Sequence, residues 1–135
     1  MTSVMITRPK GPDEVLSDRL ADLGYVPVCE PLLRIHLDPK PIDCSGVQAV
    51  VFTSANAVAS FCKTNNDHGL TAFAVGHATA KVARLNKFSV VYQGTKGAEA
   101  LIAEILDICS PEMGEILHVS GDEVKINIAR ALQEF

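Results

Sequence analysis

The chain has 135 residues, of which 47% are hydrophobic, and its 12 basic and 16 acidic side chains leave a formal net charge of -4. That length fits one domain and is enough for a real core. The acidic balance argues against non-specific nucleic-acid binding, which needs a basic footprint, and no apolar run approaches the roughly 20 residues of a membrane span.

Ser3 to Thr7 is a short apolar run of the kind that forms a buried parallel strand. Gly11-Pro12-Asp13 breaks it and opens a helix. Leu16, Leu20 and Leu23 then recur at i, i+4 and i+7, the spacing of one buried helix face, and Gly24 supplies the stop. Tyr25 to Cys29 reads as a second strand, with Pro27 placing it at an edge. From Pro31 to Leu37, Leu33, Ile35 and Leu37 alternate with Arg34 and His36, the period of a half-exposed strand. Asp38-Pro39-Lys40-Pro41 is linker punctuation, so a boundary is expected after Leu37, dividing the chain into 1–37 and 38–135.

The remainder cycles strand and helix. Strands are expected over Ala49–Thr53, Thr71–Val75, Phe88–Tyr92 and Ile116–Val119. Helices are expected over Ala55–Lys63, Ala78–Leu85, Ala98–Ile108 and Val124–Leu132, the third carrying apolar residues at i, i+3, i+4, i+7 and i+8. This alternation predicts an α/β fold with a parallel sheet and right-handed crossovers. The opening βαβ unit lacks partners, and the chain stops directly after a helix. Both features lead us to expect an incomplete chain, or one that completes its sheets through another copy.

Motif chemistry narrows the field. There is no P-loop, no G-x-G-x-x-G, no H-E-x-x-H and no G-x-S-x-G. Gly94-Thr95-Lys96-Gly97 is a glycine-bearing turn without Walker spacing. Cys29, Cys44, Cys62 and Cys109 are irregularly spaced with no C-x-x-C, as expected of free thiols in a reducing cytosol. His36, His68, His77 and His118 are scattered, so no metal site is expected. Arg8 and Pro9 follow too few apolar residues for a signal peptide.

What remains is a row of polar strand ends. Thr7, Thr53, Ser54, Thr79 and Ser120 fall at or just past the strand carboxyl ends. Each serves either as a helix N-cap or as part of a ligand-facing edge. Such an edge of hydroxyls and free amides suits a ligand with several carboxylates or phosphates. Gly76 and Gly121 either admit a ligand close to the backbone or simply turn the chain. Arg8 pairs with a ligand carboxylate or is solvated, and Tyr92, ending its strand, offers a phenol or packs.

Five segments in order resemble the uroporphyrinogen-III synthases. They are Ile6-Thr7-Arg8-Pro9 with Leu20-x-x-Leu23-Gly24 and Pro31-Leu32-Leu33-x-Ile35; Phe52-Thr53-Ser54-Ala55-Asn56-Ala57-Val58; Ala74-Val75-Gly76-His77-Ala78-Thr79-Ala80; Gly97-Ala98-Glu99-x-Leu101; and His118-x-Ser120-Gly121-Asp122. The resemblance implies two flavodoxin-like, three-layer α/β domains joined by a two-stranded connector, with substrate in the cleft between them. Residues 1–37 would be the N-terminal βαβ segment of a discontinuous first domain plus one connector strand. Residues 38–135 would be the second domain without its last strand. The implied reaction closes hydroxymethylbilane, a linear tetrapyrrole with eight carboxylates, to uroporphyrinogen III, inverting ring D and releasing water in the cytoplasm, with no cofactor or metal and as a monomer. Thr79 would be catalytic, and Thr7, Arg8, Thr53, Ser54, Gly76, Ser120 and Gly121 would bind substrate. Family members continue past a position like Phe135 and carry there a tyrosine that Tyr92 does not match, which implies a truncated member. The competing readings are a non-catalytic α/β module that binds anions or tetrapyrroles, and a nucleotide-binding domain, which the missing glycine fingerprint disfavours.

Overall fold

The computed structural model describes residues 1–9, 15–67, 69–94, 96–122 and 127–133. The chain divides into two units, Met1–Leu37 and Asp38–Phe135.

In the first unit, strands β1 (Ser3–Ile6) and β2 (Val26–Cys29) pair in parallel, Ser3 opposite Val26 and Ile6 opposite Cys29. Between them runs helix α1 (Val15–Asp22). The helix ends in a Schellman turn: Tyr25 N–H donates to Leu20 and Gly24 N–H to Ala21, with Gly24 at φ +83°. The expected start at Gly11-Pro12-Asp13 lies outside the described residues.

Two expectations for this unit are corrected. The leucine face of α1 is not buried: Leu16 is 39% and Leu23 72% exposed, and only Leu20 is half-covered. Two strands cannot cover a helix and their own second face; Ile6 is the one buried hydrophobic among the unit's described residues. The alternating segment Pro31–Leu37 forms no strand. Glu30 and Leu32 N–H groups donate to Ile6 and Thr7 carbonyls, and the ladder then stops. Alternation marks a chain fit for a half-exposed strand, but a strand exists only where a neighbour takes its hydrogen bonds.

The second unit is a four-stranded parallel sheet ordered β5-β4-β3-β6. Its strands are β3 (Val47–Phe52), β4 (Thr71–Val75), β5 (Val90–Gly94) and β6 (Glu115–Val119), and its helices α2 (Ala55–Cys62), α3 (His77–Leu85), α4 (Ala98–Ile108) and α5 (Ile128–Gln133). The expected helix start at Val124 lies outside the described residues. Central β3 is covered on both faces, so its sequence is a continuous apolar run: Ala49, Val50, Val51 and Phe52 are all buried.

Strand alternation sorts these residues into two cores. Val50, Phe52 and Ala72 pack on one face with Val58 and Phe61 of α2 and Ala83 of α3. Ala49, Val51 and Phe73 pack on the other with Leu101 and Ile105 of α4 and Ile128 of α5. The unit is therefore a three-layer α/β sandwich, the expected fold class. Phe52 meets Phe61 and Phe88 edge-on, with centroids 5.7 and 5.5 Å apart. Truncating a ring this deeply placed costs about 3–5 kcal/mol.

Strand β5 starts two residues later than the pattern predicts. Lys87 takes a left-handed turn (φ 66°), Phe88 N–H closes back on Ala83, and the Phe88 ring drops into the aromatic cluster as an anchor before the strand begins. Tyr92 consequently lies within β5, stacked on Phe73 at 5.1 Å, and does not end the strand.

Candidate functional site

The topology creates a switch point. From β3 the chain moves outward through α2 and α3 on one face to β4 and β5, then returns through α4 on the other face to β6, beside β3. The connections leaving β3 and β6 thus turn to opposite faces and open a crevice at the carboxyl ends of these two strands, where ligands of open parallel sheets bind.

The residues at that crevice are level with one another. Phe52 pairs with both Ala74 of β4 and Val119 of β6, so Thr53, Val75 and Ser120 follow at the same height. With strands about 4.8 Å apart, three chain ends lie within roughly 10 Å. Thr53 and Ser54 are half-buried, and Ser120 and Gly121 are exposed.

The hydroxyls divide into two kinds. Ser54 is the N-cap of α2: its Oγ accepts from Ala57 N–H at 3.1 Å, with the extended backbone that capping requires. A hydroxyl has two lone pairs and one proton, so Ser54 can still donate. Thr79 caps nothing. It lies in the first turn of α3, whose N-cap is Gly76, and that glycine offers no side-chain acceptor. Thr79 is 5% exposed, and its hydroxyl makes no hydrogen bond among the described residues. The first-turn N–H groups of α3 likewise lack a side-chain cap, leaving the positive end of the helix open to an anion.

Gly76 has φ +81° and ψ 163°, a region only glycine enters readily, and a Cβ there would meet nothing within 4 Å. Its conformation requires glycine while leaving the space in front of it clear. Gly76 N–H donates to Gly94 O at 3.1 Å, tying the start of α3 to the end of β5. There the next helix, α4, begins at Gly97, also without a side-chain cap.

Thr53, Ser54, Gly76, Thr79, Ser120 and Gly121 thus share the carboxyl edge of one sheet. Thr7 and Arg8 belong to the other unit, where both are exposed just past β1, and the Thr7 carbonyl accepts from Leu32 N–H.

Two residues have a structural bearing on this unit that the sequence reading did not assign. His118 of β6 pairs in register with Val51 and so faces the α4/α5 layer. Its Nε2 is buried with no hydrogen-bond partner among the described residues, and burial pushes its pKa down. The strand alternation around Ile116 and His118 was the available signal. Asn65 is buried just past the C-terminal end of α2: its Oδ1 accepts from Ile42 N–H at 3.0 Å, and its Nδ2 donates to Phe61 O at 3.1 Å, binding the linker to the end of α2. Among the described residues no group of three His, Cys, Asp or Glu side chains is placed to hold a metal, and no helix is long and apolar enough to cross a membrane.

The family described as Uroporphyrinogen-III synthase HemD matches residues 14–134. The chain belongs to that family. The match takes in the whole carboxyl edge of the second unit, from Thr53 to Gly121, and the α/β arrangement agrees with it. Thr7 and Arg8 precede the matched residues. No curated protein matches the chain. The family acts on a tetrapyrrole substrate, which ties this chain to tetrapyrrole biosynthesis.

Proposed function

We propose that this protein is a uroporphyrinogen-III synthase. It cyclises hydroxymethylbilane to uroporphyrinogen III with inversion of ring D and loss of water, as a cofactor-free cytoplasmic hydro-lyase of the heme pathway. The observation that carries the reading is the family match over residues 14–134, laid on a sheet edge whose unpaired polar groups lie within it.

The chemistry follows from the substrate. The C–O bond at the hydroxymethyl carbon breaks, the electron-rich pyrrole stabilises the cation left behind, a carbon of ring D bonds to that cation to close the macrocycle, and the proton lost on closure balances the one that hydroxide takes to leave as water. Thr79 is the catalytic hydroxyl in this reading: it lies in the first turn of α3, nearly buried, and makes no hydrogen bond among the described residues. It hydrogen-bonds the leaving oxygen as charge develops there, beside the positive end of the helix. The rest of the task is to hold a flexible chain in one reactive fold. Thr53, Ser54 and Ser120 donate hydroxyl hydrogen bonds to substrate carboxylates. Gly76 and Gly121 let backbone amides reach them, and Thr7 and Arg8 bind from the first unit.

The deciding experiment is cyclisation of hydroxymethylbilane, scoring the type III isomer against the spontaneous type I product. It is run on this 135-residue chain and on its whole open reading frame. Type III product above background from either supports the reading. Type I alone from both refutes it and leaves a tetrapyrrole-binding module.

A further inference from the structure

We infer that α3 and the loop after β5 form an electrostatic approach surface that steers a polycarboxylate ligand to the carboxyl edge. Identifying that ligand as the enzyme's substrate rests on the cyclase reading above.

Charge on this chain forms no contiguous run, yet it sorts by element. From Gly69 to Gly97 there is no acidic residue, and Lys81, Arg84, Lys87 and Lys96 are present. From Ala98 to Asp122 there is no Lys or Arg, and Glu99, Glu104, Asp107, Glu112, Glu115 and Asp122 are present. The sheet then separates the two signs, because α3 lies in one helical layer and α4 in the other. Helices α3 and α4 therefore present opposite charge on opposite faces of the sheet.

The four cations are exposed, and among the described residues the only ion pair is Lys40 with Asp38, so no described carboxylate pairs with any of the four. Arg84 donates to a neutral acceptor, Gln93 Oε1, at 3.4 Å. Their placement is directional. His77, Lys81 and Arg84 recur at i, i+4 and i+7 along one exposed stripe of α3. At 1.5 Å per residue that stripe runs about 10 Å, ending at the uncapped helix terminus beside Gly76. Lys96 lies in the loop after the adjoining strand end. Along α3, Lys81 and Arg84 are about 4.5 Å apart on the helix axis, well within one Debye length, so their fields add at physiological salt.

The need for such a surface follows from net charge. A protein of charge -4 repels an octacarboxylate at long range. A local positive track that ends at the site converts that repulsion into guided encounter, acting on the association rate rather than on the bound complex.

The test uses uroporphyrin, a fluorescent octacarboxylate macrocycle, and stopped-flow association across ionic strength. The variant Lys81→Gln/Arg84→Gln/Lys96→Gln removes three cations of this surface, two on the stripe and one in the loop after β5. The control Lys40→Gln/Lys63→Gln/Arg130→Gln removes three elsewhere, so both have the same net charge. The surface variant is expected to associate about tenfold more slowly at low salt. Its dissociation rate should be unchanged, and the deficit should vanish near 0.5 M salt, where screening is within a few ångströms. The control should stay within twofold of the parent. Equal loss in both variants, or in neither, overturns the inference. A parent that yields no type III isomer defeats the cyclase reading instead, and the association rates still decide whether the surface steers polycarboxylates.

Discussion

The Thr79 hydroxyl can be removed almost without touching stability, which makes Thr79→Val the sharpest probe of this site. Valine keeps the γ-methyl shape of threonine, and the two have nearly equal helix propensity. No hydrogen bond of the described protein is lost, because the hydroxyl makes none. The residue is 5% exposed, so a methyl in place of the hydroxyl is welcome there. The unfolding free energy should therefore move by less than about 0.5 kcal/mol in urea titration at unchanged m-value. Type III formation should behave differently. Losing a hydrogen bond made to the leaving oxygen in the transition state lowers kcat about a hundredfold, or about 2.7 kcal/mol, with KM nearly constant. Ser54→Ala is the mirror-image control: it deletes a cap bond of 3.1 Å and should cost about 1 kcal/mol of stability. A Thr79→Val protein whose kcat stays within threefold of the parent would refute the catalytic role. One that loses as much stability as Ser54→Ala would refute the claim that the hydroxyl is uncommitted.

Two further outcomes are expected. Gly114→Ala should be severely destabilising, about 3 kcal/mol or more by chemical denaturation, because its φ of +123° excludes a side chain and a Cβ would overlap the Gly46 carbonyl that accepts from Glu115 N–H. Gly24→Ala, with φ +83° but open space around it, should cost only about 1 kcal/mol. Burial holds the His118 pKa below the usual imidazole value of about 6.5, so the unfolded state binds the extra proton first. Stability should be full above that value and fall as pH drops toward the folded pKa, and His118→Gln should flatten this part of the pH–stability curve; an unchanged curve would show that His118 does not titrate on unfolding.

Much of the second unit was legible from local pattern alone. Helix α4 and strand β4 fall at the expected bounds, because a period of 3.6 or a bounded β-rich run survives any packing arrangement. The family resemblance rested on motifs at strand ends, and the match over 14–134 bears it out. What sequence alone could not decide was everything that depends on a distant partner. The alternation in Pro31–Leu37 looks like a strand, but among the described residues no strand pairs with it. The leucines of α1 form a face that two strands cannot cover. Ser54 and Thr79 are both hydroxyls near strand ends. Only the folded chain distinguishes the one that closes a helix from the one left uncommitted, because capping depends on where the helix begins. The sorting of charge onto opposite layers is written in the composition of α3 and α4, but it becomes a field only when β6 returns beside β3 and carries the two helices to opposite faces of the sheet. Local sequence sets periods, caps and turns; strand order and facing are settled by burial and hydrogen-bond pairing across the whole chain.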